Sequence, residues 1–372
     1  MTLIPDSRYY TLNRNMRFVL NRLNCFRRPR LAVAMFVALA LSCSACHGPF
    51  SINAAARNGD LKTVKSLIQD NPDLVFSKDD DGFTPLQSAA AGDHKDVAEI
   101  LLSNKADVNA RDNRGGTALH MVAAAGFKDM AECLLAHNAD VNARDNDGIT
   151  PLRLTGVPDN TAMAELLLAH QADFDARDKN GNTMLYEAAA DGHKDMVELL
   201  LAHGADATAR NNDGHTPLQA ASAGDHKDVV EILLAHKADV NAMNNNGSSA
   251  LKVVAVMGRD DMVELLLAHN ADVNARGENG VTVLHEAAMM GRVNVVELLL
   301  THNADVDARE DDGATPLFAA AVGGHRDVVG MLVAHKADIN ARDKKGHTPL
   351  YYAAATGHED VVELLRQHGG QE

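Results

Sequence analysis

The sequence predicts an all-α solenoid, a stack of small helical units that repeats along the chain. The first observation is a strict period, because one threonine, replaced once by serine, recurs every 33 residues without an insertion. The second is composition, since aromatic residues make up 4% of the 372 residues and tryptophan is absent. Such a chain favours thin layers of Ala, Leu and Val over one large core. The recurring positions are Thr84, Thr117, Thr150, Thr183, Thr216, Ser249, Thr282, Thr315 and Thr348.

Each repeat consists of a turn followed by two short helices, and residues 178–210 are representative. Gly181 allows the positive φ of a tight turn, and Thr183 stands where a helix N-cap is expected. In five repeats a proline follows the threonine, which suits the first position of a helix. A second helix with a broad apolar face follows at 196–201. Both helices are shorter than the ~12–15 residues that an isolated helix needs, so each unit must be stabilised by its neighbours.

Two strings recur over residues 79–372: Asp-Gly-x-Thr-Pro-Leu, as at 213–218, and Ala-Asp-Val-Asn-Ala-Arg, as at 139–144. These strings resemble those of the ankyrin repeat. The resemblance implies an ankyrin-repeat solenoid of about nine full repeats, each a helix–loop–helix unit with a projecting β-hairpin loop. It also implies a non-catalytic module that binds proteins and requires no cofactor.

The two ends are expected to differ from the interior, because the outer face of a terminal repeat meets water. Residues 46–78 predict an N-terminal capping repeat, whose second helix carries Lys62, Lys65 and Gln69 among its apolar positions. Residues 79–372 hold the nine repeats, and the last is expected to act as the C-terminal cap.

The third repeat is irregular, because Gly156 and Pro158 should shorten or distort its first helix. Local degeneration and a hinge or contact site both remain open. A second departure concerns the residue after the helix-terminal histidine, which in ankyrin repeats is usually a glycine in left-handed conformation. Lysine stands there at Lys105, Lys237 and Lys336, at a cost of about 1 kcal/mol each if that conformation is kept.

Residues 1–45 differ in kind from the repeats and predict a signal peptide. Seven arginines and one aspartate give residues 1–46 a formal charge of +6, and an apolar run lies at 31–41. A basic segment, an apolar run and a group of small residues follow one another in the order typical of a secretory signal peptide. The apolar run is shorter than the ~20 residues that are needed to span a bilayer. A retained signal-anchor is the alternative.

Cys43 is a candidate for lipid modification. Residues 39–43 resemble a bacterial lipoprotein cleavage site, although Ala40 stands where an aliphatic residue is preferred. Cleavage after Ala40 or Ala45 without lipidation is the rival interpretation. We therefore expect an exported protein, either periplasmic or a membrane-anchored lipoprotein, with secretion as the alternative. Membrane contact is expected only through a lipid anchor or a retained signal.

The charge of the remaining chain limits the kinds of partner. Residues 47–372 carry 28 basic and 50 acidic residues, a formal charge of −22. A body this acidic disfavours nucleic acid or an anionic membrane as the docking surface. We expect a protein partner of unknown identity, and a chain that is itself monomeric.

Histidines that recur once per repeat raise a metal hypothesis. Stacked helices lie about 8–10 Å apart, whereas zinc needs its nitrogens near 2 Å from one ion, so neighbouring repeats cannot share a metal. We interpret these residues as helix C-termini. The chain has no Gly-x-Ser-x-Gly, Walker or His-Glu-x-x-His motif, so no catalytic, cofactor or metal residue is predicted. The histidines are His137, His170, His203, His236, His269, His302, His335 and His368.

Candidate partner-binding residues vary while the scaffold around them repeats. Many stand three residues after the threonine, which in ankyrin repeats begins the inner helix on the concave face. Met and Tyr are common interface anchors, although packing between repeats is an alternative role. The candidates are Tyr186, Lys252, Met257, His285, Met290, Phe318, Tyr351 and Tyr352.

The sequence thus predicts a protein-interaction scaffold of the cell envelope. Its partner would bind the concave face and the hairpin tips, and a preformed surface lowers the ordering cost of that binding. A secreted effector that binds host proteins is the second hypothesis. An enzyme that uses the His or Asp arrays with a metal or cofactor is the third.

Overall fold

The computed structural model of the protein describes residues 51–156 and 160–372. Within these ranges the chain forms 20 α-helices and two short 3-10 helices, and no β-strand. This confirms the all-α fold class. The chain divides into two compact units, with the boundary between Lys179 and Asn180.

In the first unit, each repeat contributes a first and a second helix in turn. In the predicted capping repeat, a 3-10 helix at Pro72–Phe76 follows the second helix. The α-helices are α1 (Ile52–Arg57), α2 (Leu61–Asp70), α3 (Pro85–Ala91), α4 (Lys95–Ser103), α5 (Ala118–Ala125), α6 (Lys128–Ala136), α7 (Pro151–Leu154) and α8 (Thr161–Ala169).

The second unit repeats the same alternation, with one 3-10 helix at Glu278–Gly280. Its α-helices are α9 (Met184–Asp191), α10 (Lys194–Ala202), α11 (Pro217–Gly224), α12 (Lys227–Ala235), α13 (Ala250–Met257), α14 (Asp260–Ala268), α15 (Val283–Met289), α16 (Val293–Thr301), α17 (Pro316–Gly323), α18 (Arg326–Ala334), α19 (Pro349–Thr356) and α20 (Glu359–Gln367).

The helices begin and pack as the repeat pattern predicts. Thr84 and Thr216 each accept a hydrogen bond from the backbone N–H three residues on, at 3.3 Å, which makes them N-caps. Within each unit the first helix of a repeat packs against the first helix of the next, as α3 does against α5 and α15 against α17. Leu101, Leu200 and Leu332 of the second helices are completely buried, so each repeat derives its core from its neighbours.

The expected hairpin loops are present as hydrogen-bonded turns. In one, the Asp112 N–H donates to the Gly116 carbonyl at 2.9 Å. Successive turns are joined by one further backbone bond, such as that from the Asn113 N–H to the Asp81 carbonyl at 3.1 Å. These turns contain no β-strand within the described residues. Each turn contributes only one backbone hydrogen bond to the neighbouring turn, which is too few to form a strand ladder.

An asparagine in many loops makes two hydrogen bonds to the following repeat, and we call this arrangement the asparagine clamp. Asn109 Oδ1 accepts from the Asp140 N–H at 2.7 Å, and Asn109 Nδ2 donates to the Asn138 carbonyl at 3.2 Å. The clamp fixes the turn that follows the second helix of the next repeat. It is formed by Asn109, Asn142, Asn241, Asn274 and Asn340.

Both predicted departures from the pattern are present in the structure. Lys105, Lys237 and Lys336 keep the left-handed conformation, with φ of 67°, 65° and 68°. Helix α7 has only four residues, compared with seven or eight in the first helices of the other full repeats. Gly156 follows its end closely, and Pro158 lies outside the described residues. No helix in the described part of the chain is long and apolar enough to cross a membrane.

Candidate functional site

Three of the eight candidate partner-binding residues are buried. Tyr186 is 8% exposed, Phe318 2% and His285 1%, so they offer almost no surface to a partner. Each stands at the third residue of its helix, which we call the N3 position. The burial favours the alternative role that the sequence left open, packing between repeats.

Hydrogen bonds explain why the N3 position is buried. Gln87 Oε1 accepts from the Thr84 N–H at 2.8 Å, and Gln87 Nε2 donates to the Gly116 carbonyl of the next repeat at 2.9 Å. Gln219 makes the corresponding pair with Thr216 and Ser248. The N3 side chain therefore caps its own helix and at the same time holds the following loop.

Histidine performs the same task at two junctions. The Thr282 N–H donates to His285 Nδ1 at 3.3 Å, and His285 Nε2 lies 3.3 Å from the Ala314 carbonyl. Because a backbone N–H can only donate, Nδ1 must accept and Nε2 must carry the hydrogen. Burial lowers the pKa of His285 to about 4, and burial also lowers the pKa of His120, which bridges Thr117 and Ile149.

Lys252, Met257 and Met290 retain partial exposure. Lys252 Nζ lies 3.1 Å from Glu286 Oε1, and the lysine side chain is 14% exposed. This ion pair joins two successive first helices, so part of the lysine charge is already compensated. Met257 ends α13 and Met290 follows α15, and both are half-buried.

The remaining two candidates form one aromatic cluster with their neighbours. The ring of Tyr351 stacks on that of His347, with centroids 4.0 Å apart and planes 4° from parallel. The ring of Tyr352 lies edge-on to Tyr351 at 5.5 Å and to Phe318 at 5.8 Å. Tyr351 is 37% exposed. We call Phe318, His347, Tyr351 and Tyr352 the aromatic patch.

A buried carboxylate holds the aromatic patch in place. The Tyr352 hydroxyl donates to Asp343 Oδ2 at 2.8 Å, and the backbone N–H groups of His347 and Lys345 donate to Asp343 Oδ1 at 2.9 Å. Burial acts to raise the pKa of Asp343, but these three hydrogen bonds outweigh it and lower the pKa below the usual range. The ionised carboxylate thus fixes both the Tyr352 ring and the loop that carries His347.

The sequence analysis missed Phe76, which is 54% exposed and lies in the first unit. Only Phe76 and Tyr351 are exposed large apolar side chains within the described residues. A sequence signal was available, because Phe76 stands 33 positions before Asn109 and so replaces a clamp asparagine. The replacement of asparagine by Phe76 can be recognised as significant only after the structure has shown that asparagine forms the clamp at this position.

The histidines at the helix ends bond to their own helices. His203 Nδ1 lies 2.8 Å from the Leu199 carbonyl, and His302 Nδ1 lies 2.8 Å from the Leu298 carbonyl. These contacts match the interpretation as C-terminal helix residues. Among residues 51–156 and 160–372, no group of three or more His, Cys, Asp or Glu residues is placed to hold a metal ion. Cys43 lies outside the described residues.

Comparison with known families agrees with this architecture. A sequence model described as ankyrin repeats (3 copies) matches overlapping segments at 36–112, 52–145, 107–178, 155–244, 236–310 and 304–372. The chain belongs to the ankyrin-repeat family. Repeats of this family are in general protein-interaction modules without catalytic activity. No curated protein matches the sequence.

Proposed function

We propose that this protein is a non-catalytic scaffold of the cell envelope that binds a partner protein through the aromatic patch. The observation that carries the proposal is the exposure of Tyr351. At the corresponding N3 positions His285 and Phe318 are buried, whereas Tyr351 presents 37% of its surface. An exposed tyrosine that is held rigidly is a common centre of binding energy at protein interfaces.

The fixed geometry of the patch supports the same proposal. Tyr351 is held by its stacking on His347, and Tyr352 by its bond to Asp343. Side chains that are already ordered lose little conformational entropy when a partner binds. The patch is therefore suited to recognition without rearrangement.

The proposal is tested by capture of partners from an envelope extract with three forms of the protein. Tyr351→Phe keeps the ring and its stacking on His347, so it should recover the same proteins as the wild type. Tyr351→Ala removes the ring and should reduce recovery at least about fivefold, the loss expected when an interface anchor worth more than about 1 kcal/mol is truncated. Equal recovery of every protein by Tyr351→Ala would show that the patch is not the binding surface.

The envelope location is a separate part of the proposal and is supported by the composition of residues 1–45. If Cys43 carries a lipid, the wild-type protein should sediment with membranes and Cys43→Ser should move to the soluble periplasmic fraction. An unchanged distribution of Cys43→Ser would argue against lipidation. Recovery of the wild type from the culture medium would instead favour the secreted effector.

A further inference from the structure

One junction in the first unit lacks the asparagine clamp. Phe76 occupies the clamp position there and has no carboxamide. The two groups that a clamp would engage at this junction are the Asp107 N–H and the Lys105 carbonyl, which lie 33 positions before Asp140 and Asn138. Neither has a hydrogen-bond partner among residues 51–156 and 160–372. A donor and an acceptor, spaced to receive one amide group, are therefore open at this point.

The backbone before the open pair holds Phe76 outward. Asn71 Oδ1 accepts from the Asp73 N–H at 3.1 Å and caps the 3-10 helix, and the Ser77 hydroxyl donates to the Leu74 carbonyl at 2.7 Å. Val75 is 2% exposed and anchors this helix in the core. The exposure of Phe76 is thus a consequence of the fixed local fold.

Phe76 lines the same groove as Asp107, whose backbone N–H is one of the two open groups. The groove has a volume of about 390 Å³, and its lining includes Phe76, Ala106 and Asp107. Lys78 and Arg111 line it as well, and the Lys78 ammonium is held there by a hydrogen bond to the Arg111 carbonyl at 2.8 Å. Two cations outnumber the single carboxylate of Asp107, whose Oδ1 already accepts from the Asn109 N–H. The groove therefore favours an acidic group, although the protein as a whole is acidic.

We propose that this groove binds an extended segment of a partner protein, and that an Asn or Gln side-chain amide of that segment takes the place of the absent asparagine carboxamide. The carbonyl of the amide accepts from the Asp107 N–H, and its N–H donates to the Lys105 carbonyl. An apolar side chain next to this amide covers the Phe76 ring, and an acidic side chain pairs with Lys78 and Arg111. This surface is distinct from the aromatic patch and does not depend on it.

The test uses Phe76→Asn, which removes the site by supplying the asparagine that this junction lacks. Displayed random nonapeptides are selected on the full-length protein, and one enriched peptide is then titrated by fluorescence anisotropy. We expect enriched peptides to combine an Asn or Gln with an apolar and an acidic residue, and we expect Phe76→Asn to weaken binding at least about tenfold. Its thermal stability should match or exceed that of the wild type, because the new side chain can engage the open pair. Loss of binding would then not reflect loss of fold.

Two further variants separate the parts of the site. Phe76→Ala removes only the ring, and Lys78→Glu reverses one charge. Each variant should weaken binding of the peptide at least about fivefold. Thr208→Asn adds an asparagine at a clamp position far along the chain and should leave binding unchanged, as should Tyr351→Ala, which affects only the aromatic patch. Failure to enrich any peptide, or equal affinity for wild type and Phe76→Asn, would overturn the proposal without bearing on the proposed function.

Discussion

In four repeats the N3 side chain caps its own helix and bridges to the next loop, and either glutamine or histidine provides it. Gln87 and Gln219 perform this task with an amide that does not titrate, whereas His285 performs it with a ring that does. Protonation of His285 at Nδ1 would replace an acceptor with a donor, opposite the Thr282 N–H. The repeats thus contain both a pH-sensitive bridge and its pH-insensitive counterpart.

We expect His285→Gln to reduce the acid sensitivity of the fold. The pKa of His285 is lowered from 6.5 to about 4 in the folded state, so between these values the unfolded chain binds a proton that the folded chain does not. The stabilisation is complete above pH 6.5 and is lost as the pH falls towards 4, by at most on the order of 3 kcal/mol. The measurement is the free energy of unfolding by urea at several pH values.

Carboxylates also titrate in this pH range, so the relevant quantity is the difference in the free energy of unfolding between the wild type and His285→Gln at each pH. His203→Gln is the matched control, because it replaces an exposed ring that bonds only within its own helix. Parallel pH profiles for wild type and His285→Gln would show that the bridge does not depend on a neutral imidazole.

A second prediction at the residue scale concerns the left-handed lysines. Lys336 has φ of 68° and an exposed side chain, and Gly204 and Gly369 occupy the same position in other repeats. Lys336→Gly should raise the free energy of unfolding by up to about 1 kcal/mol, since glycine removes the steric cost of this conformation. Part of the gain is offset by the greater freedom of glycine in the unfolded chain.

Thermal unfolding of the Lys336→Gly protein gives the direction of this change. Lys344→Gly serves as the control, because Lys344 does not have a positive φ and glycine there relieves nothing. A lower midpoint for Lys336→Gly than for Lys344→Gly would contradict the prediction.

At the scale of the element, the loops are joined mainly by side chains. In the second unit the clamp is missing where Thr208 replaces asparagine, and the Thr208 hydroxyl donates to Asp206 within its own loop at 2.7 Å. The Asp239 N–H and the Lys237 carbonyl consequently receive no bond of the kind that Asn241 gives to Asp272 and Asn270.

We therefore expect Thr208→Asn to stabilise the second unit. Two new hydrogen bonds replace one local bond, a net gain of about 1 kcal/mol. Hydrogen exchange should show slower exchange of the Asp239 amide, which distinguishes a clamp from a general effect. Thr208→Ser keeps the local hydrogen bond and should change neither the stability nor the exchange rate of the Asp239 amide. Unaltered exchange of this amide in Thr208→Asn would show that the new asparagine does not form a clamp.

The helices could be predicted from the sequence where the residues that start or end them are close together in the chain. The threonine caps, the proline at the first helical position and the shortened α7 all follow from residues within a few positions of each other. The hairpin loops were predicted from the resemblance, and the structure forms them as turns without strands in its described residues. Local sequence could not show this, because strand formation depends on how many bonds neighbouring loops exchange.

At the scale of the whole molecule, the candidate site was less predictable than the fold. Phe318 and Tyr351 occupy equivalent positions, yet one is 2% exposed and the other 37%. Helix α19 packs against α17, which carries Phe318, whereas no following first helix lies over Tyr351 among the described residues. A terminal repeat is expected to expose its outer face, but the period alone does not show which side chains that face contains. The same limit applies to Phe76, whose meaning depends on a hydrogen-bond ladder built by other repeats.

The formal net charge of −16 should make the stability of the whole protein depend on salt. Like charges repel in the compact state, and the surface ion pairs that oppose this are exposed, such as Lys179 with Asp147 at 2.7 Å, where such pairs contribute little. Raising NaCl from about 20 mM to about 500 mM screens the repulsion. If screening contributes about 1 kcal/mol, the midpoint of thermal unfolding should rise by roughly 1–2 °C, and KCl at equal ionic strength should have the same effect. A midpoint that falls with both salts would mean that ion pairs, rather than net repulsion, dominate the electrostatic free energy of the fold.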